Sequence, residues 1–143
     1  DELFGGYHRY LQRYVQGGAA AVREAMYLDV LSSYERNFQR DDPVCSFHGV
    51  ELRLPFADRE VVNYSLGLPV GLNIESGRDR LRKRVLRRVA QKLSMPRFIV
   101  NRAKKAVQYA TGVDKAIQRL ARNRGLTPRE YLEKTFKGVY GKA

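Results

Sequence analysis

Helical spacing dominates the arrangement of apolar residues in this 143-residue chain. Apolar side chains recur three or four positions apart over most of the sequence, which places them on one face of a helix. Strict alternation, the pattern typical of a half-buried strand, is confined to Val50, Leu52 and Leu54. We therefore predict a mainly α fold with one short extended segment.

Two adjacent glycines interrupt the helical pattern near the start of the chain. Gly17-Gly18 separates a predicted helix over residues 1–16 from a second over residues 19–38, because glycine weakens a helix. Residues 39–49 are predicted to form a loop. The chain is thus expected to form two helices before the extended segment.

Helix-capping residues give the sharpest local predictions. Asp58 is the expected N-cap of a helix that Gly67 and Pro69 end. The run Thr127-Pro128-Arg129-Glu130 combines a capping box with a proline at the first helical position. Both signals predict that a helix begins immediately after the capping residue.

Positive charge is concentrated in one stretch of the chain. The sequence holds 27 Lys+Arg and 15 Asp+Glu, a formal net charge of +12, which favours phosphate, nucleotide, nucleic acid or another acidic surface as a partner. Between Arg78 and Lys105 a single acidic residue, Asp79, opposes twelve basic ones. Two interpretations stay open: a solvated face of a helix over residues 79–93, or an electrostatic footprint for polyphosphate or nucleic acid. That helix is predicted to bury an apolar stripe, Leu81, Val85, Leu86, Val89 and Leu93.

Composition excludes several classes of protein. The chain is 43% apolar and 29% charged, which predicts neither disorder nor a membrane protein. The acidic opening, Asp1-Glu2, is unlike a secretory signal. The single cysteine, Cys45, precludes an internal disulfide and fits a cytoplasmic setting. The histidines lack zinc-site spacing, and neither a Walker loop nor a dinucleotide fingerprint is present.

Two groups of polar residues are candidates for chemistry. Asp1-Glu2 stands at a predicted helix start, where a carboxylate pair either complements the helix dipole or binds Mg²⁺ beside phosphates. Glu51 and Arg53 share one face of the extended segment, and with Asp58 they favour an arginine–carboxylate network that fixes a loop. The residues alone leave the two interpretations of Asp1-Glu2 open.

Four segments resemble, in the expected order, motifs of the synthetase domain of the asparagine synthetases. Asp1–Tyr7 (Asp-Glu-Leu-Phe-Gly-Gly-Tyr) is similar to the segment that follows the last strand of that domain. Gly49–Asp58 resembles the family's Glu-x-Arg-x-Pro-Phe-Leu-Asp segment, with Ala57 at the leucine, and Asn37–Asp42 resembles the residues before it. Arg102–Gly112 resembles the Arg-x-Lys-Lys-x-x-Gln-Tyr stretch of the shorter, prokaryotic and archaeal-like members.

The resemblance implies an ATP-pyrophosphatase enzyme that uses ATP and Mg²⁺. In that family ATP activates the side-chain carboxylate of aspartate as an acyl-adenylate, and ammonia, usually released from glutamine by a separate glutaminase domain, displaces AMP. By position, Asp1 matches the residue that holds Mg²⁺-pyrophosphate. Lys104 matches the catalytic lysine that contacts phosphate and stabilises developing charge, and Arg102 and Lys105 are expected to face the same phosphates. The residues expected to line or brace the aspartate side are Asn37, Asp42, Glu51 and Arg53.

The chain holds only part of the family's motifs. The Ser-Gly-Gly-x-Asp-Ser pyrophosphate loop, the strand leading into Asp1 and the N-terminal cysteine nucleophile for glutamine hydrolysis are absent. Residues 1–143 are therefore expected to be a single partial domain, the helical C-terminal half of an α/β ATP-pyrophosphatase domain of the adenine-nucleotide α-hydrolase-like type. This half is expected to need its upstream half for catalysis, and neither a membrane nor nucleic acid is an expected partner.

Three other functions stay open. The first is a related synthetase that acts on another carboxylate, as β-lactam-forming enzymes do. The second is a basic helical module that binds nucleic acid, for which DNA affinity would fall steeply with salt. The third is a degenerate relative kept as an interaction domain.

Overall fold

The computed structural model describes residues 1–141, apart from the side chain of Tyr140. Within that range the chain is mainly α, as predicted, and forms no strand. Its α-helices are α1 (Arg9–Leu31), α2 (Gln39–Phe47), α3 (Arg59–Gly67), α4 (Arg84–Lys92), α5 (Arg97–Val100), α6 (Val107–Ala110), α7 (Val113–Asn123) and α8 (Pro128–Tyr140). A π-helical segment covers Tyr34–Phe38, and 3₁₀ turns cover Pro55–Ala57 and Val70–Leu72. No helix in this described part is long and apolar enough to cross a membrane.

The helices are divided between two compact units, Asp1–Lys104 and the part from Lys105 onward. The core of the first unit is built from α1 and the segment after α3, and its buried members are Tyr10, Leu11, Val22, Met26, Val70 and Ile74. In the second unit α7 packs against both α6 and α8. The candidate site described below is built from the first unit.

The glycine pair in α1 produces a kink, as the sequence predicts. Gly18 has φ +65° and ψ −156°, a conformation that no helix contains. The prediction of a helix over residues 1–8 is wrong, because α1 begins at Arg9 and the preceding residues form turns. Gly5 explains the difference: its φ is +63°, and a Cβ there would lie 2.9 Å from Ile74 Cδ1. The opening segment therefore folds closely against the core instead of extending the helix.

The predicted loop over residues 39–49 is wrong, because α2 covers most of it. Pro43 lies inside this helix, where its missing N–H removes one intrahelical hydrogen bond. Asp41 and Asp42 lie in the first turn, where negative charge complements the helix dipole. The two carboxylates therefore favour the helix that Pro43 disfavours.

The basic helix begins later than predicted, at Arg84 instead of residue 79. Arg82 and Lys83 have φ of +50° and +52°, which is incompatible with a right-handed helix. Asp79 Oδ1 accepts the backbone N–H groups of Leu81, at 3.0 Å, and Arg82, at 2.9 Å. Asp79 therefore caps a tight turn that precedes α4.

The apolar stripe predicted for this helix is wrong at three of its positions. Leu81, Val89 and Leu93 are 38%, 47% and 71% exposed, whereas Val85 and Leu86 are half-buried. The late start of α4 places Leu81 in the turn before it, so Leu81 no longer shares the helix face.

The capping predictions are confirmed. Asp58 Oδ1 accepts the N–H groups of Glu60, at 2.8 Å, and Val61, at 3.3 Å, at the start of α3. Thr127 and Glu130 form a reciprocal capping box at the start of α8. The backbone N–H and the hydroxyl of Thr127 lower the pKa of the Glu130 carboxyl.

We expect Thr127→Ala to lower the free energy of unfolding by about 1 kcal/mol, because it removes the acceptor for a first-turn N–H. Urea denaturation followed by circular dichroism measures the change. Thr135→Ala is the matched control: its hydroxyl donates to the Tyr131 carbonyl within α8 and caps nothing. Equal midpoints for the two variants would contradict the prediction.

Candidate active site

The carboxylate of Asp1 lies between two lysines. Asp1 Oδ1 is 2.6 Å from Lys83 Nζ, and Oδ2 is 3.0 Å from Lys104 Nζ. The three side chains are between 21% and 27% exposed, so solvent screens their charges only partly. Two ammonium groups contact this one carboxylate, so an anion that displaced the Asp1 carboxylate would meet both cations. The chain thus brings together Asp1 and Lys104, which the sequence separates by most of the first unit.

A glycine allows this close approach. The Gly6 N–H donates to the Asp1 carbonyl at 2.8 Å and closes a turn around the carboxylate. A Cβ on Gly6 would lie 2.5 Å from Lys83 Cε and 2.8 Å from Asp1 Cγ, closer than real Cβ atoms come. Gly6 therefore leaves the space that the Asp1–Lys83 ion pair occupies.

Lys83 is held in a strained backbone conformation. Its φ of +52° lies in the left-handed region, which costs a non-glycine residue roughly 1–2 kcal/mol. Burial lowers the pKa of the Lys83 ammonium, and the nearby charge of Lys104 lowers it further. Strain of this kind clusters at functional sites, where surrounding contacts hold it in place.

A second carboxylate, Glu2, lies beside the first and is fixed by hydrogen bonds. Tyr7 Oη donates to Glu2 Oε1 at 2.6 Å, and Asn37 Nδ2 donates to the same oxygen at 3.2 Å. Burial acts to raise the pKa of Glu2, but the hydrogen bond from Tyr7, the backbone N–H of Glu2 and the amino-terminal charge of the chain together hold that pKa below the usual value. Burial and the bond to Glu2 raise the pKa of Tyr7 to about 12. Lys104 Nζ lies 5.4 Å from the centre of the Tyr7 ring, which adds a cation–π contact.

A cavity of about 430 Å³ adjoins these charges. Asp1, Glu2 and Lys83 contribute its charged lining, and Asn37 and Arg53 add polar groups. Most of the remaining wall is apolar and includes Phe4, Val30, Phe38, Leu54, Phe56 and Leu86. A mostly apolar cavity of this size with a few convergent polar groups is typical of small-molecule sites.

Of the other predicted site residues, some line this cavity and others do not. Asn37 and Arg53 line it, and Arg53 Nη2 pairs with Glu51 Oε2 at 2.9 Å, both side chains being more than two-thirds exposed. Glu51 and Asp42 are exposed and lie outside the cavity lining.

The remaining predicted phosphate ligands are Arg102 and Lys105. The Arg102 side chain is exposed, and its carbonyl accepts a hydrogen bond from Arg87 at 3.0 Å. Lys105 is exposed and belongs to the second unit. The roles predicted for both residues stay predictions.

Sequence reasoning missed Lys83 as a site residue. It is the one lysine among six arginines between Arg78 and Arg88, and composition gives no reason to separate it from them. The left-handed turn that aims it at Asp1 depends on Asp79, which is the single acidic residue of that stretch. That isolated aspartate is the signal from which the turn could have been predicted.

The side chains at this site suit a magnesium ion only if phosphate supplies further ligand oxygens. No group of three or more His, Cys, Asp or Glu side chains within residues 1–141 is placed to hold a metal. Mg²⁺ is commonly bound by one or two carboxylates together with substrate phosphates. Asp1 Oδ1 is buried and, apart from its ion pair with Lys83, accepts no hydrogen bond of good geometry. Asp1 is therefore suited to supply one ligand oxygen.

Comparison with known proteins identifies the family. The profile of the family described as asparagine synthase matches residues 14–137. The chain is 33% identical, over 93% of its length, to the Methanocaldococcus jannaschii protein named "Putative asparagine synthetase (glutamine-hydrolyzing) 1". It is 31% identical over 76% of its length to an asparagine synthetase domain-containing protein of Saccharomyces cerevisiae. It is 32% identical over 80% of its length to asparagine synthetase domain-containing protein 1 of Mus musculus.

The chain spans a minority of each relative: 30% of the archaeal protein, 19% of the yeast protein and 18% of the mouse protein. No solved structure matches the chain. The family profile covers Lys83 and Lys104, whereas Asp1 and Glu2 lie ahead of the matched residues. With the profile matching most of its length, this chain belongs to the asparagine synthase family.

Proposed function

We propose that the chain forms part of an ATP-dependent ligase that makes asparagine from aspartate and ammonia. The observation that carries this proposal is the anion site of Asp1, Lys83 and Lys104 beside a cavity lined by Glu2 and Asn37. Family membership supports an amide-forming ligase in general, and the site supports the more specific reaction. The second half of the active site, with the pyrophosphate loop, is assigned to the upstream part of the full-length protein.

The reaction that we propose has two steps. A carboxylate oxygen of aspartate attacks the α-phosphorus of ATP, and the bond to pyrophosphate breaks. Ammonia then attacks the activated carbonyl carbon, loses a proton, and expels AMP. Both steps accumulate negative charge on oxygen, which a fixed cation stabilises in its transition state.

The two lysines are assigned to the phosphates. Each ammonium is a compact charge on a flexible stem, and each now contacts a single carboxylate oxygen of Asp1. Phosphate oxygens that bind Lys83 and Lys104 would leave Asp1 free to ligate Mg²⁺. When bound, Mg²⁺ neutralises charge on the leaving pyrophosphate. Lys104 takes the catalytic role, because it also contacts the Tyr7 ring on the side of Glu2.

The cavity is assigned to the amino-acid substrate. The ionised Glu2, held by Tyr7 and Asn37, is suited to bind an ammonium group. Arg53 is suited to bind a carboxylate, and Glu51 braces its guanidinium. Asp42, Arg102 and Lys105 keep the substrate-side and phosphate-side roles that their positions in the motifs predict.

We expect Asp1→Asn, in the full-length protein, to raise the Mg²⁺ concentration needed for half-maximal activity by about tenfold, because an amide supplies no anionic ligand oxygen. Activity measured over a Mg²⁺ titration gives this value. Asp114→Asn is the control, since Asp114 accepts a hydrogen bond from Gln118 within α7 of the second unit. An unchanged Mg²⁺ dependence in Asp1→Asn would argue against Asp1 as a ligand.

The direct test of the proposed reaction is product analysis with the full-length protein. Incubation with ATP, Mg²⁺, aspartate and either ammonium or glutamine is expected to yield asparagine, AMP and pyrophosphate in equal amounts. The two nitrogen sources identify where ammonia comes from, and a panel of other carboxylates tests the substrate. Formation of ADP and phosphate, or AMP formation that does not require aspartate, would reject the proposal.

A further inference from the structure

Arg87 contacts both of the chain segments that carry the site lysines. Its guanidinium donates to four backbone carbonyls, those of Leu81 (2.7 Å), Arg82 (2.8 Å), Arg102 (3.0 Å) and Val100. Leu81 and Arg82 lie just before Lys83, in the segment that precedes α4. Val100, the last residue of α5, and Arg102 lie just before Lys104. One side chain thus links the two segments by hydrogen bonds to their backbone carbonyls.

The segment before α4 needs such support because it is strained. Arg82 and Lys83 both occupy the left-handed region, which disfavours residues with a Cβ. Asp79 holds the segment from its other side through the N–H groups of Leu81 and Arg82. The turn is therefore fixed by donors from Arg87 and acceptors from Asp79.

Charge repulsion is a second reason why the segments that carry Lys83 and Lys104 need support from another residue. Lys83 and Lys104 carry like charges and share one carboxylate, so they repel each other at short range. Arg87 donates to carbonyl oxygens in both segments, and its own positive charge also lowers the pKa of Lys83. Burial lowers the pKa of Arg87, and the negative charge of Asp79 opposes that effect.

We propose that Arg87, together with Asp79, is a positioning residue that sets the separation of Lys83 and Lys104. The inference rests on the proposed function, in which those lysines bind the phosphates. Arginine suits the role because its donors lie in one plane on three nitrogens, and all three nitrogens of Arg87 are used. A lysine has its three donors on one atom and cannot reach both segments in this way.

The test uses Arg87→Lys in the full-length protein. We expect the dissociation constant for Mg²⁺-pyrophosphate to rise between about 10- and 100-fold, because the separation of Lys83 and Lys104 would change. The KM for aspartate is expected to stay within about twofold. A purely structural defect would instead change the pyrophosphate dissociation constant and the KM for aspartate together. A short amine-reactive cross-linker is expected to join Lys83 to Lys104 in the wild type and less often in the variant, as measured by mass spectrometry.

Arg88→Lys is the matched control, because Arg88 is the exposed neighbour on the same helix. Wild-type pyrophosphate binding and cross-linking in a folded Arg87→Lys protein would overturn the inference, as would a parallel rise in the KM for aspartate. If the proposed function is wrong, the wild-type protein itself fails to bind Mg²⁺-pyrophosphate. The cross-linking comparison still tests Arg87 in that case, so the two failures are distinguishable.

Asp79→Ala provides a second variant should Arg87→Lys fail to fold. It removes the acceptor of three N–H groups, those of Glu75, Leu81 and Arg82, and leaves the Arg87 side chain in place. We expect the same selective loss of Lys83–Lys104 cross-linking, at a smaller scale. Unchanged cross-linking in folded Asp79→Ala would overturn the inference.

Discussion

Replacing Lys104 with alanine in the full-length protein is expected to lower kcat for asparagine formation by at least about 100-fold, the usual cost of losing one group that stabilises transition-state charge. The lysine contacts Asp1 at 3.0 Å and the Tyr7 ring, so it lies between the anion site and Glu2. Steady-state kinetics with saturating ATP and aspartate measures the loss.

The fold should survive this change, because Lys104 lies in a segment without regular structure and is not a member of the buried core cluster. Lys92→Ala is the matched control: this lysine is exposed on the last turn of α4. Circular dichroism and the unfolding midpoint should be the same for both variants. Turnover of Lys104→Ala within a few-fold of the wild type would remove Lys104 from the mechanism.

Gly6→Ala is expected to reduce activity by about 100-fold, the scale on which misplacing a reacting group by about 1 Å acts. The added Cβ would meet the Asp1 carboxylate and Lys83 Cε, the latter at 2.5 Å, so the side chains of the ion pair must shift from these positions. Overpacking of this kind lowers the free energy of unfolding by about 1–3 kcal/mol, which is too little to unfold the protein completely. Activity should therefore fall much further than the unfolding midpoint.

Gly71→Ala separates this steric effect from the general cost of replacing a glycine. Gly71 has no atom within 4 Å of its added Cβ, and its φ is outside the left-handed region, as is that of Gly6. We expect Gly71→Ala to keep wild-type activity. Equal activity of the two variants would show that the Asp1–Lys83 contact is dispensable.

The local signals in the sequence predicted the helix ends that depend on one or two residues. Asp58 and Thr127 cap helices as expected because their acceptors act on N–H groups two or three positions away. The kink at Gly17-Gly18 is predictable for the same reason. Each of these features is decided within one turn of the chain.

Features that depend on distant partners escaped prediction. The left-handed turn at Arg82 and Lys83 has a local signal in Asp79, but its second support, Arg87 in the following helix, is not apparent from the sequence. Gly6 leaves room for Asp1 and Lys83, and the sequence alone does not identify Lys83 as the residue that approaches it. Spatial proximity of Asp1 and Lys104 likewise cannot be obtained from spacing alone, and only the resemblance to the family suggested it.

The structure also divides the basic stretch for which a solvated helix face and a footprint for polyphosphate or nucleic acid both stayed open. Lys83 and Lys104 face Asp1, Arg84 pairs with Glu75, and Arg87 binds backbone carbonyls. These contacts use part of the positive charge inside the first unit, which weakens the interpretation of the stretch as a nucleic-acid surface. Arg88 and Lys92 remain exposed on α4.

Aspartate-dependent exchange of labelled pyrophosphate into ATP tests the central claim most directly, since exchange requires reversible adenylation of the carboxylate. The full-length protein is expected to exchange label only when aspartate and Mg²⁺ are both present. Lys104→Ala should abolish exchange and Lys92→Ala should retain it. Absence of exchange in the wild type, or equal exchange in Lys104→Ala, would contradict the assignment of this site to adenylation.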